Sequence, residues 1–386
     1  MPETHTPLWI SARKLEALLK TAPTPLFVYD EKSLVRAVQA LFAAFSWNLG
    51  FLPRFPVRMA PDPAVLRILR GAGCGALCRD GRELRLAAAC GFAGPAVAYA
   101  PMRPDAAAEQ LARELGAVFV LDGPQVLPAF APEAAVLLLR QKEPLRISGR
   151  PVMGAPVSSA GMDEAELCRL AASLHAGGTR TLGLGMSLGD LCMDEGFYPA
   201  VFAQLADAAA RLQEKTGLTP QIFDLGGGFG VSYRPDCPGP DISACAAALR
   251  AQTCALPEAL QGGQLSMSPG RFLAADSGVL VCRVLAIKPG PVAVLDVSAA
   301  QCLRLEKRGA YHAAAALRTA GRPPLLQQLT TLEQGAPFAR QVLPQLHVGD
   351  PVVIRMLGAD GRSFSCTSER CPAYLLRADG TIGPIE

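Results

Sequence analysis

The chain of 386 residues is long enough to bury one large α/β domain together with a smaller one. Half of the residues are apolar, 18% are charged, and the formal net charge is +3, carried by 30 arginines and seven lysines. Apolar runs are broken within about ten positions, which excludes a membrane-spanning helix of about 20 residues. No basic cluster indicates nucleic-acid binding, and the N-terminal stretch lacks the order of a secretory signal. We therefore expect a cytoplasmic protein with no membrane or nucleic-acid partner.

Twelve cysteines are spaced in a way that does not indicate a metal site. Cys74 and Cys78 lie four residues apart and Cys366 and Cys371 lie five apart, with no histidine nearby and no Cys-x2-Cys pair. Structural zinc sites usually pair their ligands more tightly. We expect small buried thiols and no bound metal.

From residue 24 to about 270, short apolar runs alternate with segments of helical period. Eight runs predict strands, namely PVRMA (56–60), GALC (75–78), AVAYA (96–100), AVFVL (117–121), AVLLLR (135–140), TLGLGM (181–186), QIFDLG (221–226) and QLSMSPG (264–270). Several of the helical segments end in glycine, the usual stop signal. Continuous apolar strands joined by helices predict a parallel sheet, and eight such units favour a closed barrel over a doubly wound open sheet.

The pattern changes after Arg271. The strand-like segments there are GVLVCRVLAIK, PVAVLDV, VGDPVVIRML and PAYLLRADG, with turns predicted at KPG, VGD and ADG. The predicted fold is therefore an α/β protein with two domains. A parallel (β/α)8 TIM barrel occupies 25–270, and a β-rich, barrel-like domain combines 1–24 with 271–386.

Several motifs follow one another in the order found in a known enzyme family. They are TPLFVYDEKSL (24–34), FPVRMAPDPAVLRIL (55–69), GRELRLAAACGF (81–92), FDLGGGFG (223–230), SPGRFLAADSGVLVCRVL (268–285), RGAYH (308–312) and LHVGDPVVI (346–354). Together they span nearly the whole chain, which resembles the fold-type III pyridoxal-phosphate decarboxylases of the ornithine and diaminopimelate type. The resemblance implies an alanine-racemase-like barrel, pyridoxal phosphate at the barrel mouth, and a head-to-tail homodimer whose sites are completed across the interface.

Two residues central to the chemistry of that family are replaced here. Arg58 lies where the family has the lysine that forms the Schiff base with the cofactor. A guanidinium, with a pKa above about 12, has no free lone pair to attack an aldehyde, although it can still bind a phosphate or carboxylate. Ser268 lies where the family has the glutamate that keeps the pyridine nitrogen protonated, and a hydroxyl cannot supply that negative charge.

Other positions implied by the resemblance also differ. Ser187 falls where the family has the histidine stacked on the ring, and Gly185 falls at a paired upstream histidine. Leu332, followed by Glu333, falls at the interface cysteine, and Asp360 falls near the tyrosine beside the cofactor phosphate. We assign no catalytic residue from this pattern and keep Glu333 as a candidate. We expect no covalently bound cofactor, and noncovalent pyridoxal phosphate is left open.

The part of the resemblance that is retained is an anion site. Three glycines follow an apolar strand, and their backbone N–H groups can close around phosphate oxygens, although a tight barrel turn is the alternative interpretation. A Pro-Gly-Arg segment and two strand-end arginines complete the predicted site. The ligand-binding residues predicted for a small anion are Arg58, Arg140, Gly226, Gly227, Gly228, Gly270 and Arg271.

The sequence leaves three functional hypotheses open. The preferred one is a non-catalytic decarboxylase-like protein that binds a small anion as a homodimer or as the regulatory partner of an active decarboxylase. The second is an enzyme of amino-acid or polyamine-type biosynthesis with a repurposed site, whose candidate groups are Arg58, Asp80, Arg140, Glu333 and Asp360. The third is an active decarboxylase with a displaced lysine. Lys142 is the candidate there, because it lies two residues beyond Arg140 on the same strand face.

Overall fold

The computed structural model of the protein describes residues 8–141, 145–147, 150–151, 160–188, 191–234, 237–298, 311–317, 320–334, 337–362 and 371–385. Lys142, Cys366 and residues 308–310 of the RGAYH motif lie outside these ranges. No helix within them is long and apolar enough to cross a membrane.

The chain alternates strands and helices up to about residue 275, and after Ser277 every regular element in the described residues is a strand. The strands are β1 Leu26–Asp30, β2 Leu52–Pro56, β3 Gly75–Cys78, β4 Val97–Tyr99, β5 Val118–Leu121, β6 Ala134–Leu138, β7 Arg146–Ile147, β8 Arg150–Pro151, β9 Thr181–Gly185, β10 Ile222–Asp224, β11 Gln264–Met267, β12 Gly278–Lys288, β13 Val292–Leu295, β14 Ala314–Ala316, β15 Pro324–Thr330, β16 Ala339–Pro344, β17 Pro351–Ile354, β18 Ala373–Leu376 and β19 Ile382–Pro384. The α-helices are α1 Ala12–Leu18, α2 Glu31–Ala44, α3 Pro63–Gly71, α4 Gly81–Ala89, α5 Ala106–Glu114, α6 Glu164–Ala176, α7 Phe197–Thr216, α8 Ile242–Cys254, α9 Glu258–Gln261 and α10 Gly270–Ala274.

Eight parallel strands close a barrel in the order β2, β3, β4, β5, β6, β9, β10 and β11. All four residues of β5 are buried, as expected for a strand that is covered on both faces. Five of the surrounding helices begin after an aspartate whose side chain accepts backbone N–H bonds from the first turn, namely Asp30, Asp80, Asp105, Asp163 and Asp241. The predicted (β/α)8 barrel is confirmed.

The second domain is a nine-stranded mixed sheet, which confirms the predicted β-rich domain. Strand β1 belongs to this sheet, because Phe27 pairs with Leu280 of β12 and with Ala373 of β18. Helix α1 packs on the same sheet through Leu15, in a buried cluster that also contains Val279. The N-terminal share of this domain therefore extends through β1, past the boundary predicted after residue 24.

Strand β2 ends earlier than the sequence pattern predicted. The strand runs Leu52–Pro56, and Val57–Met59 form a 3-10 turn, so the predicted strand at 56–60 is corrected to a strand end followed by a turn. Pro56 has no N–H to continue the ladder, which favours termination at this point. Since the carboxyl ends of the strands surround the barrel mouth, the turn places Arg58 there.

Candidate ligand-binding site at the barrel mouth

A cavity of about 340 Å³ lies where the barrel strands end. In (β/α)8 barrels this end of the strands carries the functional site. Its ionisable lining residues lie at or just after the ends of four barrel strands and in the second domain, namely Arg58, Arg79, Asp224, Arg271 and Asp360. Apolar side chains form the remaining wall, among them Leu77, Val120, Leu138 and Phe229.

The glycine-rich loop forms one wall of the cavity, as predicted. Gly226 has a φ of +68°, and a Cβ at this position would lie 2.2 Å from the carbonyl oxygen of Met186. Gly228 also has a positive φ, +108°, and a Cβ on Gly227 would lie 3.0 Å from the carbonyl oxygen of Ser268. The loop therefore depends on glycine for its conformation and for its close contact with the neighbouring strand ends.

A charged pair supports this loop from inside the barrel. The Asp224 carboxylate accepts a 2.9 Å hydrogen bond from the backbone N–H of Gly226. Burial raises the pKa of Asp224, and the positive charge of Arg54 opposes that rise. Arg54 is 3% exposed and donates to the carbonyl oxygen of Pro95 at 2.9 Å, and burial lowers its pKa. Sequence analysis missed this pair, although an arginine within an apolar strand was a visible signal.

Two arginines, which follow β2 and β3, form a second wall of the cavity. Arg58 Nη1 is buried and has no hydrogen-bond partner among the described residues. Burial lowers the pKa of Arg79, and the nearby charge of Arg58 lowers it further. Behind them, Glu83 is 4% exposed and accepts the backbone N–H of Arg79 at 2.9 Å. Burial raises the pKa of Glu83, while that hydrogen bond and the charge of Arg58 oppose the rise. Arg79 and Glu83 were not predicted as site residues.

The second domain contributes a carboxylate to the cavity. Arg271 Nη2 lies 2.7 Å from Asp360 Oδ2, and the two side chains are only 9% and 19% exposed. Asp360 is held in place by its own backbone, since its N–H donates to the carbonyl oxygen of Met59 at 2.8 Å and its φ is +61°. Gly270 is also part of the wall, where a Cβ would lie 3.0 Å from the Met59 side chain. Together these contacts fix a negative charge in the cavity wall, beside Arg271 and the turn that carries Met59.

Of four other residues named in the sequence analysis, two line the cavity and two do not. Ser187 and Ser268 line the cavity. Arg140 is exposed, is not among the lining residues, and donates through Nε to the carbonyl oxygen of Gly161 at 2.8 Å. Asp80 is the cap of α4 and is paired with Arg82, which gives it a structural role.

The predicted interface residues lie on the surface of the second domain. Leu332 is 42% exposed and Glu333 is exposed as well, both in the turn between β15 and β16. Neither residue lines the cavity of its own chain.

The barrel and the β-rich second domain together have the fold of a solved diaminopimelate decarboxylase, with a TM-score of 0.81 at 21% identity over 100% of this chain and 96% of that one. Residues 32–275, more than half of the chain, match the family model described as pyridoxal-dependent decarboxylase, pyridoxal binding domain. The chain belongs to this family.

Two curated relatives and one solved structure show how the similarity is distributed. The chain is 29% identical to Protein TabA of Pseudomonas amygdali pv. tabaci over 95% of this chain and 88% of that protein. It is 28% identical to a diaminopimelate decarboxylase of Methanothermobacter thermautotrophicus over 94% and 88% of the two chains. A crystal structure of diaminopimelate decarboxylase from M. jannaschi superimposes with a TM-score of 0.82 at 19% identity, over 96% of this chain and 91% of that one.

The described residues do not fit covalent attachment of the family's cofactor. An amine is needed to capture the aldehyde of pyridoxal phosphate, and no lysine lines the cavity within the part of the chain that the structure describes. The buried, unpartnered atom at the strand end belongs to the guanidinium of Arg58. Ser268, which the resemblance aligns with the family's glutamate, lines the cavity with a hydroxyl. The described residues give the cavity arginine side chains on one wall and a glycine-rich loop on another.

Proposed function

We propose that this chain is a decarboxylase-like protein that does not form a Schiff base with pyridoxal phosphate and instead binds a small anion at the barrel mouth. The observation that carries the proposal is Arg58 Nη1, which is buried and without a hydrogen-bond partner among the described residues. The Arg58 side chain lines the cavity. A buried donor left unsatisfied costs about 1–3 kcal/mol, so an anion that draws this guanidinium into a hydrogen bond recovers that cost.

The chemistry of the replaced groups supports the same proposal. A guanidinium remains protonated and cannot act as the nucleophile toward an aldehyde. It can donate two parallel hydrogen bonds to a carboxylate or phosphate, which fixes the orientation of the bound anion. Arg79 adds a second positive charge on the same wall. In this scheme the residues of the chain bind and orient a ligand, and none of them is assigned a proton-transfer role.

Isothermal titration calorimetry tests the proposal with acetate and inorganic phosphate as probes. We expect one saturable site in the wild type and at least about tenfold weaker binding in Arg58→Met, equivalent to about 1.4 kcal/mol. Arg169→Met, on the exposed face of α6, is the matched control and should bind as the wild type does. Unchanged affinity in Arg58→Met, or no binding of either anion, would contradict the proposal.

We further propose that the protein assembles as a homodimer through its second domain. Leu326 and Val342 lie opposite each other on β15 and β16 and are 45% and 54% exposed. Leu332, in the turn that follows β15, is 42% exposed. Apolar side chains exposed together on one sheet favour an interface between chains.

Light scattering coupled to size exclusion tests this assembly. Val342→Glu should convert the dimer to a monomer, because it would bury a charge between the chains. Leu49→Glu, at a fully exposed leucine before β2, should remain dimeric. A monomeric wild type, or a Val342→Glu variant that stays dimeric, would overturn the proposed interface.

A further inference from the structure

We propose that Arg79 is a second ligand-contacting residue of the barrel-mouth site, and that Arg58 and Arg79 together hold one oxyanion, a carboxylate or a phosphate group, through hydrogen bonds to separate oxygens. The inference rests on the proposed function, since it adds a residue and a binding geometry to that same anion site. It predicts that binding needs both guanidinium groups, and not only the buried donor of Arg58.

The pairing of the first two barrel strands brings these arginines together. In the parallel ladder between β2 and β3, the last paired residues are Pro56 and Leu77. Arg58 and Arg79 each lie two residues beyond this pair, so they leave neighbouring strand ends at the same level of the barrel. The turn Val57–Met59 packs against β3, and both arginines line the cavity. The fold therefore places two guanidinium-bearing side chains side by side.

The two positive charges lie close enough to affect each other. Burial, followed by the neighbouring charge of Arg58, lowers the pKa of Arg79. Both side chains are only partly exposed, and like charges repel more strongly where water is partly excluded. An oxyanion bound between the two guanidinium groups would replace this repulsion with two attractive contacts. The ligand-free pair is therefore a stored cost that a shared ligand removes.

Both guanidinium groups are available to a ligand. Among the described residues, neither Arg58 nor Arg79 forms a salt bridge. Arg58 Nη1 is buried without a hydrogen-bond partner there. Within the same part of the chain, the guanidinium of Arg79 makes one such contact, 3.8 Å from Nη1 to the sulfur of Met102. A thioether is a weak acceptor, so an oxyanion would be the stronger partner.

Glu83 fixes the main chain at Arg79 and leaves the side chain available. This carboxyl group is 4% exposed, lies in the first turn of α4, and accepts the backbone N–H of Arg79 at 2.9 Å. The Arg79 side chain therefore extends from an anchored position at the strand end. A guanidinium is a planar group whose paired donors match two oxygens of a carboxylate or phosphate. Two such groups on neighbouring strand ends suit an anion with at least two oxygens.

Isothermal titration calorimetry with acetate and with inorganic phosphate, run side by side, tests the inference. The probe that the wild type binds more tightly identifies the preferred oxyanion, and the variants are compared with that probe. We expect Arg79→Met to bind it at least about tenfold more weakly than the wild type. Arg79→Lys keeps the charge but not the planar pair of donors, so it should remain at least about threefold weaker. Thermal midpoints verify that each variant folds.

Arg103→Met is the control, because Arg103 is exposed in the loop after β4 and does not line the cavity, and it should bind as the wild type does. Wild-type affinity in Arg79→Met would overturn the inference. Full recovery in Arg79→Lys would also overturn it, because Arg79 would then act only through its charge. In both cases the proposed function stands if Arg58→Met binds weakly. Absence of any binding, or binding that is insensitive to Arg58→Met, would instead contradict the proposed function, so the two failures are distinguishable.

Discussion

The two walls of the barrel-mouth cavity are built on different principles. On one wall, Gly226 and Gly228 adopt positive φ values, and Gly226 and Gly227 lie where a Cβ would crowd the neighbouring backbone. On the other wall, Arg58 and Arg79 depend on side-chain charge, and one guanidinium nitrogen of Arg58 is left without a partner among the described residues.

This difference separates the part of the site that the fold requires from the part that it does not require. The glycine wall contributes to folding, because its backbone is packed against strand ends and is tied to Asp224. The arginine wall places a buried donor where nothing in the described chain satisfies it. We therefore expect substitutions in the glycine wall to cost stability, and substitutions in the arginine wall to affect ligand binding with little or no cost in stability.

The largest effect is expected for Gly226→Ala. A methyl group would lie 2.2 Å from the Met186 carbonyl oxygen at a φ of +68°, so we expect a loss of at least about 3 kcal/mol in the free energy of unfolding. Urea denaturation measures it. Gly262→Ala is the matched control, because Gly262 has a φ of −77° and no heavy atom near the added methyl. The control should change stability by less than about 1 kcal/mol, and an equal loss in both variants would remove the distinction between the walls.

Asp224→Asn is expected to have the next largest effect. It would leave Arg54, which is 3% exposed, without its compensating charge, so we expect a loss of about 2 kcal/mol by urea denaturation. The double variant with Arg54→Met should lose less than the sum of the two single losses, with a coupling of about 1 kcal/mol. Strict additivity would show that the charged pair does not support the glycine wall.

Arg58→Met should change the free energy of unfolding in the opposite direction. Removing a buried donor that has no partner in the described chain should raise the free energy of unfolding of the ligand-free protein by about 1 kcal/mol. The exposed Arg169→Met variant should change it by less than about 0.5 kcal/mol. Destabilisation of Arg58→Met by 1 kcal/mol or more would indicate that Arg58 holds the fold together and is not kept for a ligand.

The smallest effect concerns Arg322, an arginine that does not line the cavity and that pairs with Asp350. Arg322 and the backbone N–H of His347 donate to Asp350, and these contacts hold the pKa of Asp350 below its usual value. A lowered folded-state pKa adds stability above the unfolded pKa of about 4 and loses it as pH falls further.

Asp350→Asn should therefore lower the free energy of unfolding by less than about 1 kcal/mol at neutral pH. Its thermal midpoint should also fall less steeply than that of the wild type as the pH is lowered. Thermal midpoints measured from about pH 7 down to about pH 2 provide the comparison. An equally steep fall of the thermal midpoint with decreasing pH in wild type and variant would show that this pair contributes nothing to the pH dependence.

Most of the fold could be predicted from sequence because its signals are local. Continuous apolar strands separated by helices indicate a parallel barrel, and the run Gly226–Gly228 after β10 indicates a loop that only glycine can form. The end of β2 was misplaced, since PVRMA continues the apolar run while Pro56 ends the ladder.

The cavity was only partly predictable, because it depends on which side chains face inward. Arg54, Arg79 and Asp224 were missed, since a shift of one residue in a strand turns a side chain from one face to the other. Arg140 was assigned to the site as the end of a strand, but β6 stops at Leu138 and the Arg140 side chain is exposed. Asp360 was found only through its position in the family pattern, and its contact with Arg271 required the folded chain.

Covalent capture of the cofactor can be measured as the mass of the intact protein after incubation with pyridoxal phosphate and reduction with borohydride, followed by peptide mapping of any adduct. We predict no stoichiometric adduct on the wild type, and an adduct at position 58 in Arg58→Lys, because an amine replaces the guanidinium at the barrel mouth. One pyridoxyl group per wild-type chain on a single lysine, Lys142 included, would contradict the account.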